Sequence, residues 1–233
     1  MNIIITGATK GIGRAIAEKF AAEGFNLALC ARSGKDLLAT KKELSQKYPD
    51  TKILTHPVDL RRKEEVLAFA GFVKEHWQDV NILVNNAGVF IPGKIQNEED
   101  GVLEQMIETN LYSAYHLTRA ILPLMHGLQK AHIFNMCSIA SFFAYPNGGS
   151  YSISKFAMLG FSKVLREELK DKEIRVTALM PGATWTNSWA GSNFPEERLM
   201  KASDVALAVW GAWQMSLSAV VESIVLRPQL GDL

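Results

Sequence analysis

Ile3-Ile4-Ile5-Thr6-Gly7-Ala8-Thr9-Lys10-Gly11-Ile12-Gly13, the opening run of the chain, decides how the rest is read. Three consecutive isoleucines suit a strand buried on both faces. The glycines then let the chain turn sharply from strand into helix, and let its backbone come close to a bound anion. A helix starting there presents unpaired N–H groups and a partial positive charge, which suit a pyrophosphate. The spacing differs from the Gly-x-Gly-x-x-Gly fingerprint. Taken alone, the run reads equally as a glycine-rich turn or as a nucleotide cradle.

The same alternation continues along the chain. Strand-like apolar runs fall at Asn2–Thr6, Asn26–Ala31, Lys52–Pro57, Ile82–Asn85, His132–Cys137, Arg175–Met180 and Ser223–Arg227. Helical periodicity fills Arg14–Ala22, Lys35–Lys47, Lys63–Trp77, Val102–Leu124 and Ile153–Leu169. This pattern predicts an α/β fold: a Rossmann-like, doubly wound parallel sheet of about seven strands with helices on both faces. No low-complexity linker or internal repeat divides it, so residues 1–233 are expected to form one domain. Ligands of such sheets bind beyond the carboxyl ends of the strands, where strand order reverses. Thr6-Gly7, Arg32, Asp59, Asn85, Ser138 and Pro181 all follow an expected strand end.

Composition narrows the function classes. The formal net charge is +1, and the longest basic run is Arg61-Arg62-Lys63, so nucleic acid and anionic membranes are not expected partners. Cys30 and Cys137 sit in or beside apolar runs without a Cys-x-x-Cys spacing, as buried reduced thiols would. The five histidines show no metal-ligand spacing, and no metal is expected. Val205–Val221 carries no charge but is shorter than the ~20 residues needed to span a bilayer, so it reads as a buried packing helix. The chain starts almost directly with a strand, leaving no room for a signal peptide. A soluble, cytoplasmic protein is expected.

The chemistry is carried by Tyr151-Ser-Ile-Ser-Lys155, with Ser138 upstream. Residues four apart on a helix share one face. A free phenol ionises near pH 10, and a neighbouring ammonium favours the phenolate, which brings proton exchange toward neutral pH. Alone, Tyr-x-x-x-Lys is common on amphipathic helices. Together with a nucleotide cradle it points to redox chemistry at a carbonyl.

With these motifs in hand, the chain resembles the short-chain dehydrogenase/reductase family, of the single-domain type. The resemblance rests on Thr6-Gly7-Ala8-Thr9-Lys10-Gly11-Ile12-Gly13, Asp59, Asn85-Asn86-Ala87-Gly88, Asn110, Ser138, Tyr151-x-x-x-Lys155 and Pro181-Gly182-x-x-x-Thr186, in the family's order and spacing. It implies that Tyr151 donates the proton while Ser138 helps bind the carbonyl oxygen. Lys155 would tune Tyr151 and hold the nicotinamide ribose, and the Asn110 backbone carbonyl would hold a water at a helix kink that relays protons to Lys155. It also implies a dinucleotide contacted by Gly7, Thr9, Lys10, Gly11, Ile12 and Gly13, by Asp59 and Leu60, and by Asn86, Ala87 and Gly88. Beyond these, Tyr151, Lys155, Pro181, Gly182, Thr184 and Thr186 would surround the nicotinamide end. Asp59 would meet the adenine amino group, and it also suits an N-cap for the following helix. The second strand ends in Arg32-Ser33 with no carboxylate, and Lys10 adds a cation. Arg32 can fork onto a 2′-phosphate and Ser33 can donate to it, so NADP(H) is the expected cofactor.

The segments Val89–Gly93, Ile139–Tyr145 and Ala183–Arg198 are expected to line the substrate pocket. They supply Phe90, Phe142, Phe143, Tyr145, Trp185, Trp189 and Phe194, about half of which are expected to pack elsewhere. The leading substrate expectation is a 3-oxoacyl thioester, with carrier-docking cations among Arg119, Lys130, Arg166 and Lys172. Other small ketones or aldehydes are the alternative. A cofactor-sensing protein without turnover fits less well, because Tyr151 and Lys155 are both present. A sugar-nucleotide epimerase would need more chain beyond Thr186. The helices around Val102–Leu124 and Ile153–Leu169 resemble the family's pairing helices, so a homodimer or homotetramer is expected. Pro228 departs from the family's usual ending and should stop strand pairing.

Overall fold

The computed structural model describes residues 1–186 and 195–231. Seven of the apolar runs become strands of one parallel sheet: β1 (Asn2–Thr6), β2 (Asn26–Ala31), β3 (Ile53–Pro57), β4 (Ile82–Asn85), β5 (Ala131–Met136), β6 (Ile174–Pro181) and β9 (Ser223–Leu226). Their order is β3-β2-β1-β4-β5-β6-β9. Chain direction across the sheet therefore reverses between β1 and β4, as the Rossmann-like expectation requires. A separate short parallel pair, β7 (Thr184–Trp185) with β8 (Met200–Lys201), was not foreseen. Two-residue strands carry no periodicity to read.

Side-chain alternation splits the core into two layers. On one face Ile3, Ile5, Leu27, Leu29, Ile82, Val84 and Phe134 pack against α1 (Gly11–Ala22), α2 (Gly34–Lys47) and α7 (Ala202–Gln214). On the other, Ile4, Ala28, Cys30, Leu83 and Ile133 meet α3 (Lys63–His76), α5 (Ser113–Ile121) and α6 (Gly149–Leu169). Burial on both faces is why these strands read as unbroken apolar runs.

Two helical expectations are corrected. Val102–Leu124 is not one helix. It comprises α4 (Val102–Ile107), a π-helical turn at Glu108–Tyr112, α5, and a 3₁₀ turn at Leu122–Leu124. The π turn is closed by the Ser113 N–H donating to the Glu108 carbonyl. Pro123 has no N–H to continue α5. The uncharged run ending at Val221 is helical only to Gln214. There the Arg175 guanidinium donates to the carbonyls of Trp213 and Met215, both at 3.2 Å, and satisfies the helix end.

Candidate active site

A cleft of about 1040 Å³ opens along the carboxyl edge of the sheet. Its floor is the glycine loop, where Gly7 (φ +65°) and Gly11 (φ +55°) adopt left-handed backbone that other residues rarely tolerate. Thr9, Lys10, Gly11 and Ile12 line the cleft with Gly7. Gly13 does not. An ideal Cβ there would lie 2.4 Å from both the Gly7 carbonyl oxygen and Asn86 Nδ2. Gly13 thus lets α1 close against the loop from behind rather than facing a ligand. Thr6, which opens the motif but was given no contact of its own, organises this floor: its hydroxyl accepts from the N–H groups of Asn86 and Ala87, each at 2.9 Å. The Asn86 side chain in turn donates to the Thr6 carbonyl at 2.8 Å. Alone, a threonine before a glycine carries no signal of that double contact.

At the β2 end, Arg32 and Ser33 reach the cleft together with Lys10. Ser33 also caps α2, accepting from the Asp36 N–H at 3.1 Å. Lys10 Nζ lies 3.6 Å from the Asp36 carboxylate, so the expected 2′-phosphate corner includes an acid as well as two cations. Ser33-x-x-Asp36 is a capping pattern that the sequence offered and the motif reading did not use.

Asp59 and Leu60 line the cleft beyond β3. The expected helix cap at Asp59 is not formed: α3 begins at Lys63 with Arg62 flanking it. Asp59 instead binds the Arg61 guanidinium at 2.6 Å and accepts from the Arg61 N–H at 3.1 Å. The Arg61 contact holds its carboxyl below the usual range. Arg61 also lines the cleft, so it belongs to the site rather than to a solvated helix start. Asn86, Ala87 and Gly88 form the wall after β4, and Pro181, Gly182, Thr184 and Thr186 the wall after β6. An added Cβ at Gly88 would sit 3.2 Å from Asn110 Oδ1 and 3.5 Å from Lys155 Nζ. A side chain here would crowd Asn110 Oδ1 and brush Lys155 Nζ.

Ser138, Tyr151 and Lys155 meet in the same cleft. Ser138 follows β5, and its Oγ accepts from the Ala140 N–H at 3.1 Å, which fixes the hydroxyl. Lys155 is buried on α6 and donates to the Met136 carbonyl at 2.7 Å. Its Nζ stands 5.7 Å from the centre of the Tyr151 ring. Burial pulls the Lys155 ammonium down to about 8. Burial also pushes the Tyr151 phenol up, and the opposing pull comes from the Ser138 hydroxyl. The expected lowering by Lys155 is thus corrected: desolvation dominates and Ser138 is the counterweight. Asn110 lies in the π turn, the kink foreseen for its carbonyl-held water, and its side chain is engaged away from the cleft. Its Oδ1 accepts from the Val89 N–H at 2.8 Å, while Nδ2 donates to the Val89 carbonyl at 3.0 Å and Ser154 Oγ at 2.9 Å. It ties the loop after β4 to α6.

Of the aromatic residues expected at the substrate end, Phe90, Phe143 and Tyr145 line the cleft. Phe90 packs edge-on against Tyr151, with ring centres 4.8 Å apart. Phe142 is exposed and outside the cleft, and Trp185 lines a shallower groove beside α1. Trp189 and Phe194 lie outside the described residues. Both cysteines are buried, and among the described residues no cluster of His, Cys, Asp or Glu is arranged for a metal.

The family model for short chain dehydrogenases matches residues 1–196. A sepiapterin reductase of Chlorobaculum tepidum is 31% identical over 99% of this chain and 97% of its own length. An NADP-dependent 3-hydroxy acid dehydrogenase of Salmonella typhimurium is 31% identical over 95% of this chain and 91% of its own. Among solved structures, an alcohol dehydrogenase from Thermococcus sibiricus complexed with 5-hydroxy-NADP aligns with a TM-score of 0.91, at 29% identity, covering 100% of this chain and 98% of that one. L-sorbose reductase from Gluconobacter frateurii, with NADPH and L-sorbose, gives a TM-score of 0.87 at 26% identity, covering 97% and 94%. Matched along most of its length by the family model and over nearly all of it by these relatives, the chain belongs to the short-chain dehydrogenase/reductase family of oxidoreductases.

Proposed function

We propose that this chain is an NADP(H)-dependent reductase of a small carbonyl compound, acting in reverse on the corresponding alcohol, with Tyr151 as the proton donor. The observation that carries this reading is the meeting of Ser138, Tyr151 and Lys155 at one end of a cleft whose other end holds the glycine loop, Lys10 and Arg32. The cleft fits an extended dinucleotide. The loop glycines leave room for a phosphate to approach, and Arg32 and Lys10 line the cleft where a 2′-phosphate would meet them. Loop N–H groups and the start of α1 would hold the pyrophosphate, with Asp59 and Leu60 at the adenine. Pro181, Gly182, Thr184 and Thr186 would flank the nicotinamide, and Lys155 would reach its ribose. Bound there, NADPH supplies hydride to the carbonyl carbon.

Ser138 Oγ and the Tyr151 phenol bind the carbonyl oxygen and stabilise the negative charge that develops on it. Tyr151 then gives its proton to that oxygen. A phenol held protonated by burial suits this acid role in the reductive direction. Lys155, close to the phenol and itself pulled toward neutrality, is suited to return a proton to Tyr151. Asn110 holds the loop that borders this end of the cleft.

We favour a free small ketone or aldehyde over a 3-oxoacyl group on an acidic carrier protein. Lys130 precedes β5 and packs over Trp213 at 4.4 Å, and Lys172 precedes β6, so both sit at the amino ends of the strands, away from the cleft. Arg166 is paired with Glu222. The relatives named above act on sepiapterin, 3-hydroxy acids and L-sorbose, all small molecules. Exposed Tyr112, Tyr115, Ile153, Phe156 and Val164 on and beside α5 and α6 support a homodimer or homotetramer built on these helices. Two buried free thiols suit a reducing cytoplasm, and no helix among the described residues is long and apolar enough to cross a membrane. Turnover of a carbonyl panel with NADPH, set against Tyr151→Phe, tests the reading. An active Tyr151→Phe enzyme would remove Tyr151 from the reaction.

A further inference from the structure

Tyr151 sits in the first turn of α6, and that turn is anchored from another part of the chain. The residue flanking the helix, Gly148, has no side chain to cap it. The carboxylate of Glu98, in the loop between β4 and α4, takes this place. Its Oε1 accepts from the Ser150 N–H at 2.9 Å, and its Oε2 accepts from the Ser150 hydroxyl. The surroundings are shaped to admit it. An ideal Cβ on Gly149 (φ +28°) would fall 2.0 Å from Glu98 Oε1, and one on Gly93 would fall 2.9 Å from Glu98 Cγ. The Gly93 N–H also donates to the Asn147 carbonyl at 3.0 Å, so loop and helix start are joined twice. The other end of the loop is held at Val89 by Asn110, and between the two ties Phe90 rests on the Tyr151 ring.

We propose that Glu98 is a positioning residue for the carbonyl reduction: its carboxylate locks the start of α6 to the substrate-side loop and thereby sets where the Tyr151 phenol stands relative to Ser138. The inference rests on the reductase reading. A carboxylate at a helix N-terminus is favoured by the helix dipole, and its hydrogen bonds are charge-assisted. An ordinary cap would come from the flanking residue and act on helix stability alone. This one comes from the loop that also carries Phe90 against the reacting phenol. It therefore couples two walls of the site.

The test is Glu98→Ala and Glu98→Gln beside wild type, each measured for kcat, carbonyl KM, NADPH affinity by fluorescence titration and thermal unfolding. A displacement on the order of 1 Å at a reacting group costs up to about 100-fold in rate, so Glu98→Ala should lose roughly 10- to 100-fold in kcat. Its NADPH affinity and carbonyl KM should stay near wild type. Glu98→Gln keeps an acceptor for the Ser150 N–H and should recover most of kcat. If Glu98→Ala does not fold, Ser150→Ala removes only the hydroxyl contact and should show the same split at smaller amplitude. A folded Glu98→Ala with wild-type kcat overturns the inference, as does a loss that falls equally on NADPH affinity or is not recovered by glutamine. Wild type inactive across the panel would sink the reductase reading and this inference with it. Wild-type turnover alongside undiminished variant turnover would sink this inference alone.

Discussion

Replacing Gly13 with alanine should damage both stability and cofactor binding, although alanine is the better helix former. The obstacles are the Gly7 carbonyl oxygen and Asn86 Nδ2, each 2.4 Å from where the new Cβ would stand. Neither can swing away: one is backbone, and the other is held on the Thr6 and Gly7 carbonyls at 2.8 and 3.3 Å. Relief to a contact of about 3.5 Å means moving α1 off the loop by on the order of 1 Å. Overpacking of this kind costs about 1–3 kcal/mol, partly offset by up to about 1 kcal/mol of helix propensity. At about 2–4 °C per kcal/mol for a chain near this size, Tm should fall by several degrees. The N–H groups that face the phosphates move with α1, so NADPH affinity should weaken by about tenfold, equivalent to about 1.4 kcal/mol. Gly71→Ala in α3, away from the proposed oligomer face, is the internal control, since nothing lies within 4 Å of an added Cβ there. It should gain up to about 1 kcal/mol and leave NADPH binding unchanged. Scanning calorimetry and fluorescence titration read both quantities. Gly13→Ala with wild-type Tm and wild-type NADPH affinity would refute the steric reasoning.

Three further outcomes follow from the site. Asp36→Asn removes the carboxylate beside Lys10, an exposed pair worth at most about 1 kcal/mol; NADPH should bind up to about fivefold tighter and NADH unchanged, by parallel titration. Lys155 is depressed to about 8 in the folded protein from an ordinary 10.5, so the unfolded chain binds more protons between those values. Without cofactor, wild-type stability should therefore rise relative to Lys155→Met as pH increases from about 8 to 10.5, by up to about 3 kcal/mol, with a flat difference below pH 8; urea titrations across that range check it. Burial raises the Cys30 thiol to about 12 and also raises Cys137, so iodoacetamide at pH 8 should label neither until the protein is unfolded, as mass spectrometry would show.

The layered sheet was legible because burial on both faces writes itself into composition: Asn2–Thr6, Asn26–Ala31 and Ile82–Asn85 are strands with the bounds their apolar runs predict. The cleft-lining residues were legible because their chemistry is local, in the loops after strand ends at Gly7 and Ser138 and at one helix spacing at Tyr151 and Lys155. What the sequence concealed depends on contacts between distant segments. Thr6 meets Asn86, Lys10 meets Asp36, and Glu98 meets Ser150 across 52 positions. No local period encodes those pairings. The Asp59 cap failed because α3 starts four positions on, at Lys63, which leaves the carboxylate to close a local turn on the Arg61 N–H and guanidinium. The balance at Tyr151 also escaped a reading of neighbours alone, because desolvation depends on how the whole cleft closes over the phenol.

The most direct test of the account is initial-rate oxidation of NADPH, with NADH in parallel, by wild type and Tyr151→Phe against a panel of small ketones, aromatic aldehydes, diketones and acetoacetyl thioesters. The account predicts NADPH-selective turnover of small free carbonyl compounds that vanishes in Tyr151→Phe while NADPH affinity persists. Preference for NADH, or undiminished turnover by Tyr151→Phe, would contradict it.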